Sequence, residues 1–271
     1  MTKKLFQWAM AAALICGVGM FTACTSNDDN PVKPDKPATD KVHLTQQYAV
    51  AVRANGDTIV QVIEDFIWED GLLRKTLAEN INSSGSSSLG EITYVYDNDG
   101  HCIEEHYISS ASAELNSDSY FTYEGGRMTS AIEITGGNPS NKATITGYTA
   151  DGHIQSITTE GLETGTVREY QLTRENGDMT GYTMHTIQPK EETLAFIIEY
   201  DEYPNIVTGM PLTSAVFDPQ MIASRSSVHN WLVLDAKRFY ANGRLVKTTS
   251  ESAYFTFYTY YTYSDGTTGK E

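Results

Sequence analysis

The chain has 271 residues and a formal net charge of −16, from 35 acidic and 19 basic side chains. Because this excess of negative charge repels phosphate backbones, nucleic acid is not an expected partner. The length that follows the N-terminal segments suffices for one sizeable core, and we predict a single domain over residues 41–271.

The N-terminus has the composition of an export signal. Residues 1–23 begin with two lysines, continue as an apolar run and end in small side chains, which is typical of a cleaved signal peptide. Cys24 follows Ala23 in a context that resembles a lipobox, in which the cysteine thiol takes a diacylglyceryl group. We predict lipidation of Cys24, and the alternative is ordinary secretory cleavage near Ala23 with a free cysteine.

Residues 24–40 are predicted to be the lipidated cysteine and a disordered tether. Three prolines stand among polar residues with almost no apolar content, so this segment cannot bury a core. Two or more acyl chains, at about 0.8 kcal/mol per buried CH₂, would anchor Cys24 durably in a lipid bilayer. Asp28 and Asp29 resemble a surface-display signal of Gram-negative lipoproteins. We therefore predict an outer-membrane lipoprotein that is surface-exposed, or that otherwise faces the periplasm.

One stretch supplies the pattern of the remaining chain. Ile92, Tyr94 and Tyr96 recur with the period of two that marks a half-buried strand. The Asp-Asn-Asp-Gly tetrapeptide at residues 97–100 then predicts a hairpin turn, since glycine accepts positive φ without a Cβ clash. Variants of this unit recur around Gly71, Gly126, Gly152, Gly177 and Gly243, with a divergent copy at Pro204.

These repeats predict an all-β fold, an antiparallel meander of roughly 14 strands. Residues 254–263 contain seven aromatic side chains, and an exposed edge strand of this kind would aggregate, so we expect it to be paired on both sides. The sheet is therefore expected to curl into a closed or nearly closed barrel-like form. Uneven alternation on other strands argues against a transmembrane barrel. Residues 207–228, the longest break, are expected to plug or cover one end of the sheet.

The turn pattern also carries a resemblance. Tyr-Asp-x-x-Gly-Arg followed by an apolar residue resembles the YD repeats of large repeat proteins. With the lipoprotein leader, the late Tyr-Asp-x-x-Pro-Asn copy and a Tyr-Thr-Tyr ending, the chain is similar to the bacterial lipoproteins grouped as domain of unknown function 4595. The resemblance covers about residues 45–263 and implies a porin-like fold without an established activity. Residues 174–177 depart from the pattern because they lack the leading Tyr-Asp.

No catalytic residue, metal site or cofactor is predicted. Residues 97–100 begin like a calcium loop, but the twelfth position is Ile108 rather than the glutamate such a loop requires. His101 and His153 each follow an Asp-Gly turn, where other repeats carry arginine, so a polar flank explains them more simply than a metal does. Cys102 is the one thiol expected to remain outside the leader and the anchor, which excludes an internal disulfide.

The predicted function is that of a non-enzymatic binding or scaffold module at the cell envelope. Aromatic side chains on a β-surface stack on sugar rings or pack against one another. The ligand-binding residues proposed from sequence, for a glycan or a peptide, are Trp68, Trp231, Tyr258 and Tyr260. Two alternatives stay open: a hydrolase with acids assembled from several strands, and a structural module that contacts another outer-membrane protein.

Overall fold

The computed structural model describes residues 42–232, 236–252 and 254–270. The predicted signal peptide, Cys24 and the tether lie outside these described residues. The first nine strands are β1 Leu44–Arg53, β2 Thr58–Glu69, β3 Leu72–Asn82, β4 Ser87–Tyr96, β5 Cys102–Ser109, β6 Ser117–Glu124, β7 Arg127–Thr135, β8 Asn138–Tyr148 and β9 Ile154–Gly161. The remaining eight are β10 Thr166–Glu175, β11 Asp178–Gln188, β12 Glu192–Ile197, β13 Tyr200–Pro204, β14 His229–Trp231, β15 Ala236–Ala241, β16 Arg244–Glu251 and β17 Phe255–Tyr263. Strand makes up 65% and helix 7%, which confirms the all-β prediction.

Fifteen strands form one sheet, in which β1 to β12 follow one another as a meander. β1 also pairs with β17, and β16 and β15 continue the sheet beyond it. The sheet is an antiparallel meander, as predicted. The last strand is thus paired on both sides, and its predicted position inside the sheet is confirmed.

The sheet, predicted to be closed or nearly closed, is not closed in the part of the chain that the structure describes. The strand order ends at β12 and at β15, so these two strands are the edges of an open sheet. After β12 the chain leaves the sheet, and β13 pairs instead with β14 in a separate two-stranded sheet. Pro204, which replaces the turn glycine of the other repeats, lies at the end of β13 and has no backbone N–H to donate to a ladder. The divergent copy therefore does not make a tight hairpin.

The turn glycines have the backbone that the repeat pattern predicts. Gly100 has φ 84°, and the pair Asn242 and Gly243 has φ 50° and 74°. Positive φ at both central residues gives a turn whose twist matches that of the flanking strands. Glycine, and to a smaller degree asparagine, accepts this conformation, which explains the residue types at these positions.

The tyrosine of each repeat has a structural role that accounts for its recurrence. Its hydroxyl donates a hydrogen bond to the backbone carbonyl two residues after the turn glycine of the preceding hairpin. Five such bonds join neighbouring hairpins: Tyr96 to Leu73 at 2.7 Å, Tyr123 to Cys102 at 3.1 Å, Tyr148 to Met128, Tyr200 to Met179 at 2.9 Å and Tyr263 to Leu245 at 2.7 Å. Residue 174, which departs from the pattern, is an arginine and bonds Ser226 instead.

The residue after the turn glycine covers the same tyrosine ring. The guanidinium of Arg127 lies 5.2 Å from the centroid of the Tyr148 ring, and that of Arg244 lies 5.6 Å from the Tyr263 ring. His101 takes the equivalent place and stacks on Tyr123, with centroids 4.7 Å apart. These stacking contacts explain the Gly-Arg and Gly-His dipeptides of the repeats without a ligand.

Contacts divide the chain into two compact units. Unit 1 takes in the residues up to Ile67, Thr76–Leu89 and those from Leu232 onward, and unit 2 takes in Trp68–Lys75 and Gly90–Trp231. The single domain predicted over residues 41–271 thus contains two units of contacts. The core of unit 2 includes helix α1, Pro219–Ser226, which buries Ile222 and Ala223.

The strand repeats did not predict the helix at Pro219–Ser226. Asp218 Oδ1 accepts a hydrogen bond from the backbone N–H of Gln220 at 2.8 Å, and Pro219 occupies the first turn. An Asp-Pro start is a helix signal that the pattern of strands concealed.

Candidate functional site

Unit 1 carries a groove on one face of its sheet, and strand pairing builds it. Tyr48 of β1 lies opposite Tyr260 of β17, and Val50 lies opposite Tyr258. On the other side of β17, Lys247 of β16 lies opposite Tyr260 and is itself opposite Phe239 of β15. Since directly paired residues of antiparallel strands share a face, these side chains all project from the same surface.

The groove has a volume of about 710 Å³ and is mostly aromatic and aliphatic. Its lining residues are Tyr48, Val50, Val52, Phe239, Val246, Lys247, Tyr258, Tyr260, Gly269 and Lys270. The rings of Tyr48 and Tyr260 are stacked, with centroids 6.0 Å apart and planes 28° from parallel. Phe239 is 46% exposed, so a large apolar ring faces solvent at the margin of this surface. The arrangement gathers Tyr48, Tyr258 and Tyr260 into a strip of aromatic rings on one face of the sheet.

Lys247 lies among the rings without an acidic partner. Its ammonium group is 5.0 Å from the centroid of the Tyr260 ring, 5.4 Å from that of Phe239 and 5.5 Å from that of Tyr258. Each of these contacts is a cation–π interaction, and together they fix the position of the charge. Within the described ranges, the Lys247 ammonium makes no ion pair and no hydrogen bond.

A second ammonium group closes the other side of the groove. Lys270 Nζ lies 4.5 Å from the centroid of the Tyr48 ring and donates a hydrogen bond to Gln46 Oε1 at 2.9 Å. Gln46 Nε2 in turn donates to Asp65 Oδ1 at 2.7 Å, so the Gln46 amide links the Lys270 ammonium to the Asp65 carboxylate. Gly269 lets the chain pass close to β16, because a Cβ there would clash with the backbone oxygen of Val246.

The hydroxyl of Tyr48 is held as a protonated group. It lies 3.2 Å from Gln61 Oε1, to which it donates a hydrogen bond. Burial, and secondarily the neighbouring Tyr260, raises the pKa of Tyr48 above 10.0. The phenol is therefore neutral at physiological pH and adds a hydrogen-bonding edge to the apolar strip.

The structure brings together two of the four ligand residues proposed from sequence. Tyr258 and Tyr260 both line the groove, whereas Trp68 and Trp231 belong to unit 2. Trp231 packs against the hydrophobic core of that unit, in strand β14. Tyr48, Phe239 and Lys247 escaped sequence reasoning, because only the pairing of β1 and β15–β16 with the aromatic strand places them beside it.

Unit 2 carries two buried carboxylates on one sheet face. Glu105 lies opposite Ser119, and Ser119 lies opposite Glu133, so the two acids are separated by one strand, about 10 Å between backbones. Glu133 Oε2 accepts hydrogen bonds from Ser140 Oγ at 3.0 Å and Asn141 Nδ2 at 2.5 Å. Burial raises the pKa of Glu133, against the lowering effect of these bonds. Because Ser140 and Asn141 donate to it, the Glu133 carboxylate serves as a structural hydrogen-bond acceptor.

The three side chains nearest to a metal-binding arrangement in the described residues are Asp97, Asp99 and His101. Their potential ligand atoms lie within 4.8 Å of one another. Asp97 Oδ1 already accepts from the backbone N–H groups of Asp99 and His101, and Asp97 Oδ2 lies 3.0 Å from His101 Nδ1. These bonds form the hairpin turn itself. His153 is not part of the group and lies 3.7 Å from Asp151 instead.

The fold and the groove define a class: an antiparallel β-meander protein with an aromatic, lysine-bearing surface. Its architecture is similar to that of a porin-like protein from Bacteroides uniformis ATCC 8492, solved by crystallography, with a TM-score of 0.50. The identity is 12%, and the alignment covers 82% of this chain and 96% of the other.

No family model matches the chain, and no curated protein matches it. The likeness to the porin-like protein therefore shows a shared β fold, and membership of the lipoprotein family named above stays a prediction. Among the described residues, no helix combines the length and the apolar character that crossing a membrane would require.

Proposed function

We propose that the protein is an envelope lipoprotein whose β domain binds carbohydrate, without catalysis, in the groove of unit 1. The observation that carries this proposal is the strip of ring faces formed by Tyr48, Tyr258 and Tyr260. The C–H faces of sugar rings are apolar and flat, and they stack on aromatic rings while their hydroxyl groups remain in water. A rigid sheet holds such rings in place, so little side-chain entropy is lost on binding.

A glycan suits this groove better than a peptide does. Extended peptides commonly bind by adding a strand to a free sheet edge. The groove lies over β1, β17 and β16, each of which already has a partner on both sides, and it reaches the edge strand β15 only through the Phe239 side chain. Its backbone hydrogen-bonding groups are therefore engaged, and recognition has to come from side-chain surfaces.

The proposed location at the outer membrane, with display at the cell surface, is supported by the leader, Cys24 and the acidic residues that follow it. The porin-like neighbour is consistent with an envelope protein of this shape class. The resemblance to domain of unknown function 4595 supports the same proposal. A lipid anchor would leave the β domain outside the bilayer, where the groove meets extracellular saccharides.

The test is binding of the full-length protein, in detergent, to a glycan array and a peptide array. The double variant Tyr258→Ala/Tyr260→Ala is expected to lose about tenfold or more in affinity for the bound glycan, since each ring contact contributes about 0.5–1.5 kcal/mol. Tyr254→Ala is the matched control, because this tyrosine is 79% exposed and does not line the groove.

A wild-type protein that binds no saccharide on the array contradicts the carbohydrate proposal. Binding to peptides alone, unaffected by the double variant, contradicts both the ligand class and the site. Silence on both arrays would favour the structural alternative, contact with another envelope protein.

A further inference from the structure

The groove has a charge opposite to that of the whole chain. The protein carries 35 acidic and 19 basic side chains, yet among the described residues those that line the groove include two lysines and no acid. Chance alone would favour acidic residues on such a surface. The local charge, rather than the net charge, decides a contact at a few ångströms, because charges separated by more than about 8 Å are largely screened at physiological ionic strength.

Lys247 has the properties of a preorganised side chain that binds anions. Three rings surround its ammonium group at centroid distances between 5.0 and 5.5 Å. The rings attract the ammonium without supplying an anionic acceptor, so its N–H donors are not committed to a carboxylate of the described residues. A side chain that is already fixed by packing loses little further freedom when an anion binds.

The two lysines lie on either side of the ring strip. Lys247 is next to Tyr258 and Tyr260, and Lys270 covers Tyr48. A saccharide stacked on the strip would therefore place its ring substituents beside an ammonium group. The Lys270 ammonium already donates a hydrogen bond to Gln46, so the Lys247 ammonium has the larger capacity to bind an added anion.

We propose that the ligand of this groove is an anionic saccharide, whose carboxylate or sulfate group binds the Lys247 ammonium while its sugar ring stacks on Tyr258 and Tyr260. This inference rests on the proposed carbohydrate-binding function and adds the charge of the ligand. Uronic acid and sulfate ester groups are the two sources of such a charge, and matched probes separate them.

The experiment measures binding of the full-length protein to polygalacturonate and to its fully methyl-esterified form, which has the same backbone without the charge. A second pair, dextran sulfate and dextran, tests the sulfate. The expected result is at least tenfold tighter binding to one charged polymer than to its neutral counterpart. Raising the salt concentration is expected to weaken binding to the charged polymer more than to the neutral one.

Three variants locate the effect. Lys247→Met keeps an unbranched apolar stem against the rings and removes the charge, and we expect about a tenfold loss of affinity for the charged polymer alone. Lys247→Arg keeps the charge and is expected to retain most of the affinity. Lys190→Met is the control, because Lys190 is an exposed lysine of unit 2 outside the groove lining. Circular dichroism and thermal unfolding check that each variant folds.

The outcomes separate the two proposals. Equal affinity for charged and neutral polymers, or an equal loss for both in Lys247→Met, overturns the anionic ligand and leaves carbohydrate binding standing. A loss in Lys190→Met as large as that in Lys247→Met also overturns it, because the attraction would then be unspecific. Failure to bind any of the four polymers or any glycan of the array overturns the proposed function, and the charge inference with it.

Discussion

At the scale of single residues, the repeated tyrosines bind hairpin to hairpin. The Tyr123 hydroxyl donates a hydrogen bond to the backbone carbonyl of Cys102, and Cys102 is 3% exposed. Burial raises the pKa of Tyr123, so the hydroxyl keeps its proton and remains a donor at all physiological pH values. Phenylalanine at this position keeps the ring and removes only the hydroxyl donor.

Tyr123→Phe is therefore expected to lower the free energy of unfolding by about 1 kcal/mol, the cost of a lost hydrogen bond that leaves a buried acceptor. Urea denaturation followed by circular dichroism measures it. Tyr107→Phe is the matched control, since the Tyr107 hydroxyl makes no hydrogen bond with the described residues. Equal destabilisation by both substitutions would contradict the role assigned to the tyrosine bond.

The buried Glu133 carboxyl group is expected to make the free energy of unfolding depend on pH. Burial raises its pKa above the ordinary value of 4.5, so the folded protein binds this proton more tightly than the unfolded chain does. The resulting stability is fully present below about pH 4.5 and is lost as the pH rises through the pKa of the folded state.

Unfolding by urea at about pH 4, 5.5 and 7 tests this expectation. In Glu133→Gln, which cannot ionise, the free energy of unfolding should fall less between about pH 4 and pH 7 than in the wild type. Glu124→Gln, at an exposed position, serves as the control. Parallel pH profiles for wild type and Glu133→Gln would refute the assignment.

At the scale of the elements, the hairpin turn is the unit that the sequence repeats. Gly100 has φ 84°, and a Cβ added there would meet no atom within 4 Å. The cost of Gly100→Ala is therefore conformational and not steric, and we expect a loss of about 1 kcal/mol in the free energy of unfolding.

Gly100→Asn is the matched comparison for this turn, because asparagine tolerates the left-handed region better than alanine does. We expect it to lose less stability than Gly100→Ala in the same denaturation assay. A larger loss for asparagine than for alanine would show that something other than the backbone conformation governs this position.

At the scale of the whole molecule, the predicted lipid anchor decides where the groove is displayed. Lipidation of Cys24 is expected to place the protein in the detergent phase of a phase-separation assay and to incorporate labelled palmitate. Cys24→Ala should abolish both, because alanine has no thiol to which the acyl chains could be attached. Cys102→Ala is the control, since that thiol is buried and free. Label retained in Cys24→Ala would refute the assigned site.

Much of the fold follows from local chemistry, and this part was predictable. Alternating side chains define strands, and turns that need positive φ select Gly or Asn, so both are written in short stretches such as residues 92–100. The same holds for the aromatic strand β17, whose many rings predicted that it is paired on both sides. The helix at residues 219–226 was not predicted, although Asp218 and Pro219 are residues that favour a helix start. A single capping residue is a weak signal beside strong strand repeats.

What the sequence determined by itself is the repeating hairpin, its turn residues and the acidic net charge of the chain. What only the tertiary structure decided is the pairing of β1 with β17, the open ends of the sheet at β12 and β15, and hence the groove. The physical reason is range. A turn depends on φ and ψ of adjacent residues, whereas Tyr48, Lys247 and Tyr260 meet because strands far apart in sequence exchange backbone hydrogen bonds, and no local preference encodes that choice.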